Sequence, residues 1–274
     1  MVAALTCITC SWDPFTAELS ASLRDELAGL DLHLVTVGGD VGAGYRRVEE
    51  YLLGGAVDGV ALLCAYDGHP LPGVLAAAGV PAVVLGRMLN PRLRLPYVDV
   101  DNVRAAEHAV RWLQDRGRVR IGTITGPQTM PAGVDRLAGY LAAVPAPVNL
   151  RRPGLIVSGD FSAQSGERAM VRLLARDPRV DAVFVASDLM ALGVLRALRR
   201  AGRRVPEDVA VVGFDGLASV AELWPEPSLT TVRQPIPEMG RAVARMLAER
   251  LGGSLRSEPD PALFATHLLP GDSA

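Results

Sequence analysis

Charged and aromatic side chains recur in this 274-residue sequence directly after short apolar runs. The charged ones are Asp13, Asp40, Asp67, Arg87, Asp160, Asp188 and Asp215, and the aromatic ones nearby are Trp12, Phe15 and Phe161. Carboxylates and guanidinium groups on rigid strand ends can hydrogen-bond several hydroxyl groups at once, while an aromatic ring covers the apolar face of a sugar. The pattern therefore favours a site for a carbohydrate or another small polyhydroxylated molecule.

The elements that would position these side chains are clearest in residues 179–216. Two continuous apolar runs, 182–185 and 209–212, flank a segment with helical periodicity. Continuous runs indicate strands covered on both faces, which predicts a parallel sheet in an α/β fold. Ligands of such sheets bind beyond the carboxyl ends of the strands, where Asp188 and Asp215 stand.

The same alternation of strand and helix extends along most of the chain. It predicts strands over residues 2–9, 32–37, 57–64, 80–85, 97–100, 119–125, 155–157, 182–185 and 209–212, and a last strand over residues 262–269. A long amphipathic helix is predicted over residues 239–251. The arrangement implies two sheets of similar make-up, with a tail that returns to support both halves.

Composition excludes several classes of function. The formal net charge is −2 and the sequence pI is about 6.1, so no overall positive field attracts nucleic acid or acidic lipid. All 28 basic residues are arginine, which removes Schiff-base and phosphate-loop lysines. Cys7, Cys10 and Cys64 are predicted to be buried thiols rather than metal ligands. We expect no cofactor, no metal, no membrane span and no enzymatic activity.

Several segments are similar to the LacI/GalR-type bacterial transcription regulators. The strongest are ASDLMALGVLRALRRAGRRVPEDVAVVGFDG and SLTTVRQPIPEMGRAV, and earlier ones, in the right order, are DPFTAEL, VDGVALL, GVPAVVLGR, VDVDN, RIGTITGP and DRLAGY. The resemblance implies a type I periplasmic-binding-protein-like fold, with two Rossmann-like lobes joined by three crossovers near Asp101, Thr231 and Glu258. The N-terminal lobe would hold residues 1–101 and 232–258, and the C-terminal lobe residues 102–231 and 259–274.

The resemblance also implies a function. The chain would be the effector-sensing and dimerisation core of a cytoplasmic repressor, which binds a sugar or related metabolite between its lobes. It would act as a homodimer and would contact operator DNA only through an N-terminal helix-turn-helix that this chain does not contain. Arg136 matches the family's effector-binding arginine, and the predicted ligand-binding residues are Asp13, Phe15, Arg87, Arg136, Phe161, Asp188 and Asp215.

Some alternatives stay open at the level of sequence. Asp188 and Asp215 each precede a helix-patterned segment and could cap it, and Phe15 and Phe161 could be core residues. A sugar-binding protein of a transport system would share the two-lobe architecture, although the start of this chain lacks the features of a secretory signal. An upstream helix-turn-helix in the full reading frame would favour the regulator, and an export signal would favour the transport protein.

Overall fold

The computed structural model describes residues 2–5, 13–37, 45–63, 65–144, 153–224, 227–253 and 261–274. The predictions for Trp12, Asp40, the three cysteines and the crossover near Glu258 concern residues outside these ranges. In the part of the chain that is described, no helix combines the length and the apolar character required to cross a bilayer.

The chain divides into two compact units. Unit 1 comprises Met1–Val100 and Pro235–Phe264, and unit 2 comprises Asp101–Gln234 and Ala265–Ala274. The backbone therefore passes between the units after Val100, after Gln234 and after Phe264. These three passages are the first, second and third crossovers of the chain.

Twelve strands and nine helices are described. The strands are β1 (Val2–Leu5), β2 (Leu34–Val37), β3 (Gly59–Leu62), β4 (Ala82–Leu85), β5 (Tyr97–Val100), β6 (Ile121–Thr125), β7 (Ile156–Ser158), β8 (Ala182–Val185), β9 (Ala210–Asp215), β10 (Thr230–Arg233), β11 (Ala262–Phe264) and β12 (His267–Leu269). The helices are α1 (Pro14–Gly29), α2 (Tyr45–Leu53), α3 (Pro70–Ala78), α4 (Asn102–Asp115), α5 (Pro131–Ala143), α6 (Ala163–Arg176), α7 (Asp188–Arg200), α8 (Ala218–Leu223) and α9 (Ile236–Leu251).

Each unit is built on one six-stranded sheet. In unit 1 the strand order is β11-β5-β4-β3-β1-β2, and every pairing is parallel. In unit 2 the order is β12-β10-β9-β8-β6-β7, and only the β10–β12 pairing is antiparallel. The prediction of an α/β fold with parallel sheets is confirmed.

The buried cores explain why the strands are continuously apolar. In unit 2 one cluster joins β6, β7, β8 and β9 to α6 and α7, and its members include Ile124, Val157, Met170, Val183, Val185, Val194 and Val211. In unit 1 a second cluster joins β3 and β4 to α2 and α3 through residues such as Leu52, Val60, Leu75 and Val84. Helices lie against these sheets, so strand residues are buried on both faces.

One prediction about the tail is wrong. The predicted strand over residues 262–269 is two strands in different sheets, because β11 pairs with β5 in unit 1 and β12 pairs with β10 in unit 2. No local signal at Ala265 or Thr266 marks the crossover. In addition, residues 230–233 form a strand that the sequence pattern did not reveal. This strand extends the unit 2 sheet beside β9.

Candidate functional site

The centre of the candidate site in unit 2 is a buried ion pair between Arg136 and Asp215. Arg136 lies on α5 with 5% of its surface exposed, and Asp215 is the last residue of β9 with 6% exposed. Nη1 of Arg136 lies 3.3 Å from Oδ1 of Asp215. The guanidinium carbon is 3.7 Å from the centroid of the Phe214 ring, a cation–π distance.

Other groups of unit 2 fix the guanidinium of Arg136. Its Nε donates to Oδ1 of Asn102 at 2.9 Å, and its Nη1 also donates to the carbonyl of Ala186 at 2.6 Å. Because the planar guanidinium is held by several partners and by the Phe214 ring, it presents its donors in a fixed direction. Arg136 can therefore orient an oxygen-rich ligand without first losing side-chain freedom.

Asp215 stands on an unusual backbone. Its φ is +122°, a value that a residue with a side chain rarely adopts, and the following Gly216 has φ +74°. The backbone N–H of Gln234 donates to the carbonyl of Asp215 at 3.0 Å, and Nε2 of Gln234 donates to Oδ1 at 2.8 Å. Strained backbone held by surrounding contacts is a feature of binding sites.

Asp188 lies beneath the turn that follows β9 and is 1% exposed. Its Oδ2 accepts from the backbone N–H groups of Gly216 at 2.7 Å and Leu217 at 3.0 Å, and its Oδ1 accepts from the Thr231 hydroxyl at 2.5 Å. A Cβ at Gly213 would lie 2.4 Å from Oδ1, so glycine leaves the space that this carboxyl occupies. Asp188 thus holds the turn that carries the ion pair.

Burial dominates the acid–base behaviour of Asp188. Loss of hydration on burial is the larger cause, and repulsion from the Asp215 carboxylate is the second. Together they raise the pKa of Asp188 to about 8.

The alternative that Asp188 caps α7 is wrong. Ser187 is the N-cap of this helix, and its hydroxyl accepts from the N–H of Met190 at 3.2 Å.

Phe161 stands beside the carboxyl end of β6. Its φ is +70°, and its half-buried ring packs against the unit 2 core. A Cβ at Gly126 would lie 2.2 Å from Cζ of this ring, so only glycine permits their contact. The neighbouring Asp160 accepts from the N–H of Ser162 at 2.9 Å, just before α6 begins. The structure therefore gives Phe161 a packing role, and a ligand contact by its remaining surface stays a prediction.

The predicted site residues of unit 1 lie at strand ends and at a helix start. Asp13 is the N-cap of α1, and its carboxylate accepts from the N–H and the hydroxyl of Thr16 at 2.8 and 2.9 Å. Burial raises the pKa of Asp13. Phe15, in the first turn, is half-buried. The N–H of Arg87 donates to Oδ2 of Asp99 at 2.9 Å.

Arg87 lines a cavity of about 270 Å³ together with residues of the loop 88–96. Unit 1 thus has a polar side chain at the start of α1, Asp13, and another after β4, Arg87. Asp67, which follows β3, is exposed.

Sequence reasoning found Arg136, Asp188 and Asp215, which unit 2 brings together, but it missed their partners. Asn102, the partner of Nε of Arg136, is the first residue of α4 and follows the N-cap Asp101. Gln234 was not considered, and Thr231 was considered only as the position of a crossover. Recognising residues 230–233 as a strand beside β9 would have pointed to both.

Comparison with known proteins supplies the family. A family model described as a periplasmic binding protein-like domain matches residues 98–274. The HTH-type transcriptional regulator CelR of Thermobifida fusca is 45% identical over 262 residues, which cover 95% of this chain and 76% of CelR. The chain belongs to the LacI family of transcriptional regulators. It corresponds to the effector-binding core of LacI-family proteins, as the sequence resemblance indicated.

Solved structures of LacI-family regulators agree with this assignment. A complex described as transcriptional regulator CelR with cellobiose has a TM-score of 0.91 and 42% identity, covering 100% of this chain and 84% of that chain. A regulatory protein of the LacI family from Chloroflexus aggregans has a TM-score of 0.83 and 26% identity, covering 99% and 98%. The relatives are transcriptional regulators, not enzymes.

Proposed function

We propose that this chain is the effector-sensing and dimerising core of a cytoplasmic LacI-family repressor. Its effector is a carbohydrate, and cellobiose is the first candidate because the similar CelR structure is a cellobiose complex. Operator DNA is contacted through the helix-turn-helix domain of such a regulator, and two copies of the core pair in the active protein. The family membership and the geometry of unit 2 support this proposal.

The observation that carries the proposal is the buried Arg136–Asp215 pair at the end of β9. The guanidinium is a donor and the carboxylate an acceptor, so together they match the mixed donor and acceptor character of sugar hydroxyls. The Phe214 ring and the neighbouring hydrogen bonds hold the pair in place before any ligand arrives, which lowers the entropic cost of binding. Asp188 supports the site through the turn at Gly216 rather than by direct contact.

Phe161 in unit 2 and Asp13, Phe15 and Arg87 in unit 1 are proposed as further ligand contacts. Arg87 and Phe161 lie close to strand ends, where ligands of parallel α/β sheets bind, and Asp13 and Phe15 lie at the start of α1. A ligand that binds one conformation of the chain more tightly shifts the population towards it. In the intact regulator, the difference in operator affinity between conformations converts ligand binding into control of transcription.

The direct test is thermal unfolding with candidate ligands. Cellobiose, other disaccharides, monosaccharides, nucleosides and sugar phosphates are compared, and binders are titrated by calorimetry. At a ligand concentration about 100 times Kd, stabilisation of about 2.7 kcal/mol is expected. Replacing Arg136 or Asp215 by Ala removes most of the shift. Arg120→Ala is the matched control, because it breaks the Arg120–Asp177 ion pair of the same unit.

Two results would contradict the proposal. One is a panel in which no carbohydrate stabilises the wild-type chain. The other is a carbohydrate response that both site variants retain in full. Sedimentation equilibrium tests the paired state separately, and a monomer at all concentrations would remove dimerisation from the proposal.

A further inference from the structure

Each member of the Arg136–Asp215 pair is hydrogen-bonded to a side-chain amide that adjoins a crossover. Arg136 donates through Nε to Asn102, which is the second residue of unit 2 after the first crossover. Asp215 accepts from Nε2 of Gln234, which is the last residue of unit 2 before the second crossover. The same ion pair is thus hydrogen-bonded to a residue beside the first crossover and to a residue beside the second.

These amides belong to backbone that is itself held in place. Gln234 forms two hydrogen bonds with Asp215, because its backbone N–H also donates to the carbonyl of Asp215. Asn102 begins α4, whose N-cap Asp101 accepts from the N–H of Arg104 at 3.0 Å. A shift of either charged group therefore cannot occur without a change in the hydrogen bonds of the adjoining crossover.

The second crossover continues directly into packed structure of unit 1. Pro235 follows Gln234 and precedes α9, and α9 packs along α1. The Ser22 hydroxyl on α1 donates to the carbonyl of Pro237 at 2.7 Å. Because α1 begins next to Asp13, a continuous series of bonds and contacts runs from Asp215 to a proposed contact of unit 1.

We propose that Asn102 and Gln234 are positioning residues that transmit the geometry of the Arg136–Asp215 pair to the first and second crossovers. The biological use of this relay rests on the proposed function, in which a carbohydrate binds the pair. A ligand hydroxyl that hydrogen-bonds to Arg136 or Asp215 weakens or redirects the bond between that residue and its amide partner, Asn102 or Gln234. The adjoining crossover then changes its conformation. Asp215 already has a positive φ, so its own backbone has few other conformations through which it could accommodate the change.

A test without ligand measures hydrogen exchange at two reporter amides. The N–H of Ala105 bonds to the carbonyl of Asp101 beside the first crossover, and the N–H of Gln234 bonds to Asp215 at the second. Arg136→Met removes the charged partner, and about fivefold faster exchange is expected at both reporters, the change that losing one hydrogen bond of ordinary net strength produces. Arg120→Met, which breaks the remote pair with Asp177, leaves both reporters unchanged.

The relay is overturned if folded Arg136→Met leaves both reporters at wild-type rates, or if Arg120→Met accelerates them equally. Should Arg136→Met not fold, Arg136→Lys replaces it, because lysine keeps the charge but cannot reproduce the bonds from Nε and Nη1 together. The expected and contradicting outcomes are the same for this variant.

Ligand experiments separate the relay from the proposed function. Asn102→Leu and Gln234→Met each remove one amide at nearly constant volume. In each variant, cellobiose is expected to bind more weakly, because the pair has lost one support. At saturating cellobiose, its effect on exchange is expected to disappear at the adjoining crossover alone. A wild-type chain that binds no carbohydrate contradicts the proposed function, while the ligand-free comparison still decides the relay.

Discussion

The side-chain carboxyl group of Asp188 accepts the backbone N–H of Gly216 at 2.7 Å, so a residue at the start of α7 fixes the turn after β9. The two residues are 28 positions apart in the chain. The turn they form carries Asp215, the acidic member of the buried ion pair. The protonation of Asp188 and the conformation of Gly216 therefore both bear on the site.

Protonation of Asp188 should make stability depend on pH. The folded-state pKa of about 8 lies above the ordinary value of 3.8, so the folded state retains a proton that the unfolded state has lost between these values. Stability should therefore fall as pH rises through about 4 to 8. Thermal melts of wild type and Asp188→Asn across this window measure the effect. The variant should lack this part of the slope, and parallel curves would contradict the assignment.

Gly216 should tolerate alanine much less well than another left-handed glycine of unit 2. A Cβ at Gly216 would lie 2.7 Å from the Cα, Cβ and Cγ atoms of Arg233, whereas nothing lies within 4 Å of one at Gly202. Both substitutions share a backbone cost of about 1 kcal/mol. Gly216→Ala should lose about 1–3 kcal/mol more, since the backbone of Arg233 must move. Equal midpoints of urea denaturation would show that the turn can relax.

The contact between Phe161 and Gly126 should matter for the proposed carbohydrate. Phe161→Leu removes the ring, and Gly126→Ala displaces it, because the new Cβ would occupy the ring's position. Loss of an aromatic contact is expected to weaken cellobiose binding about five- to tenfold in each variant, as measured by calorimetry. Unchanged affinity in both would leave Phe161 with its packing role alone.

The C-terminal residues should stabilise unit 2 through Ser273, which is fully buried. Its hydroxyl donates to the carbonyl of Val211 at 2.7 Å and accepts the N–H of Thr230 at 2.8 Å. Ser273→Ala leaves both backbone groups without this partner and should cost about 1–3 kcal/mol in the free energy of unfolding. Ser219→Ala, at an exposed position of α8, should change it by less than about 0.5 kcal/mol. Similar values for the two variants would contradict the role of the tail.

Much of the fold could be predicted because each central strand is apolar on both faces. That local property locates the strands, and their alternation with helices predicts that they pair in parallel. The tail could not be predicted in the same way. Residues 262–264 and 267–269 are similar in composition, yet they join different sheets, and their partners Val98 and Val232 lie far away in the chain.

The sequence by itself determined the α/β class, the strand ends and the residue types that gather there. Only the tertiary structure decided which of them meet. Arg136 and Asp215 are 79 residues apart, and Asp188 turned out to hold the backbone rather than face outward. Hydrophobic periodicity is a local signal, whereas the pairing of charged side chains depends on strand order and on which groups lose their hydration, and those arise only when the sheet has assembled.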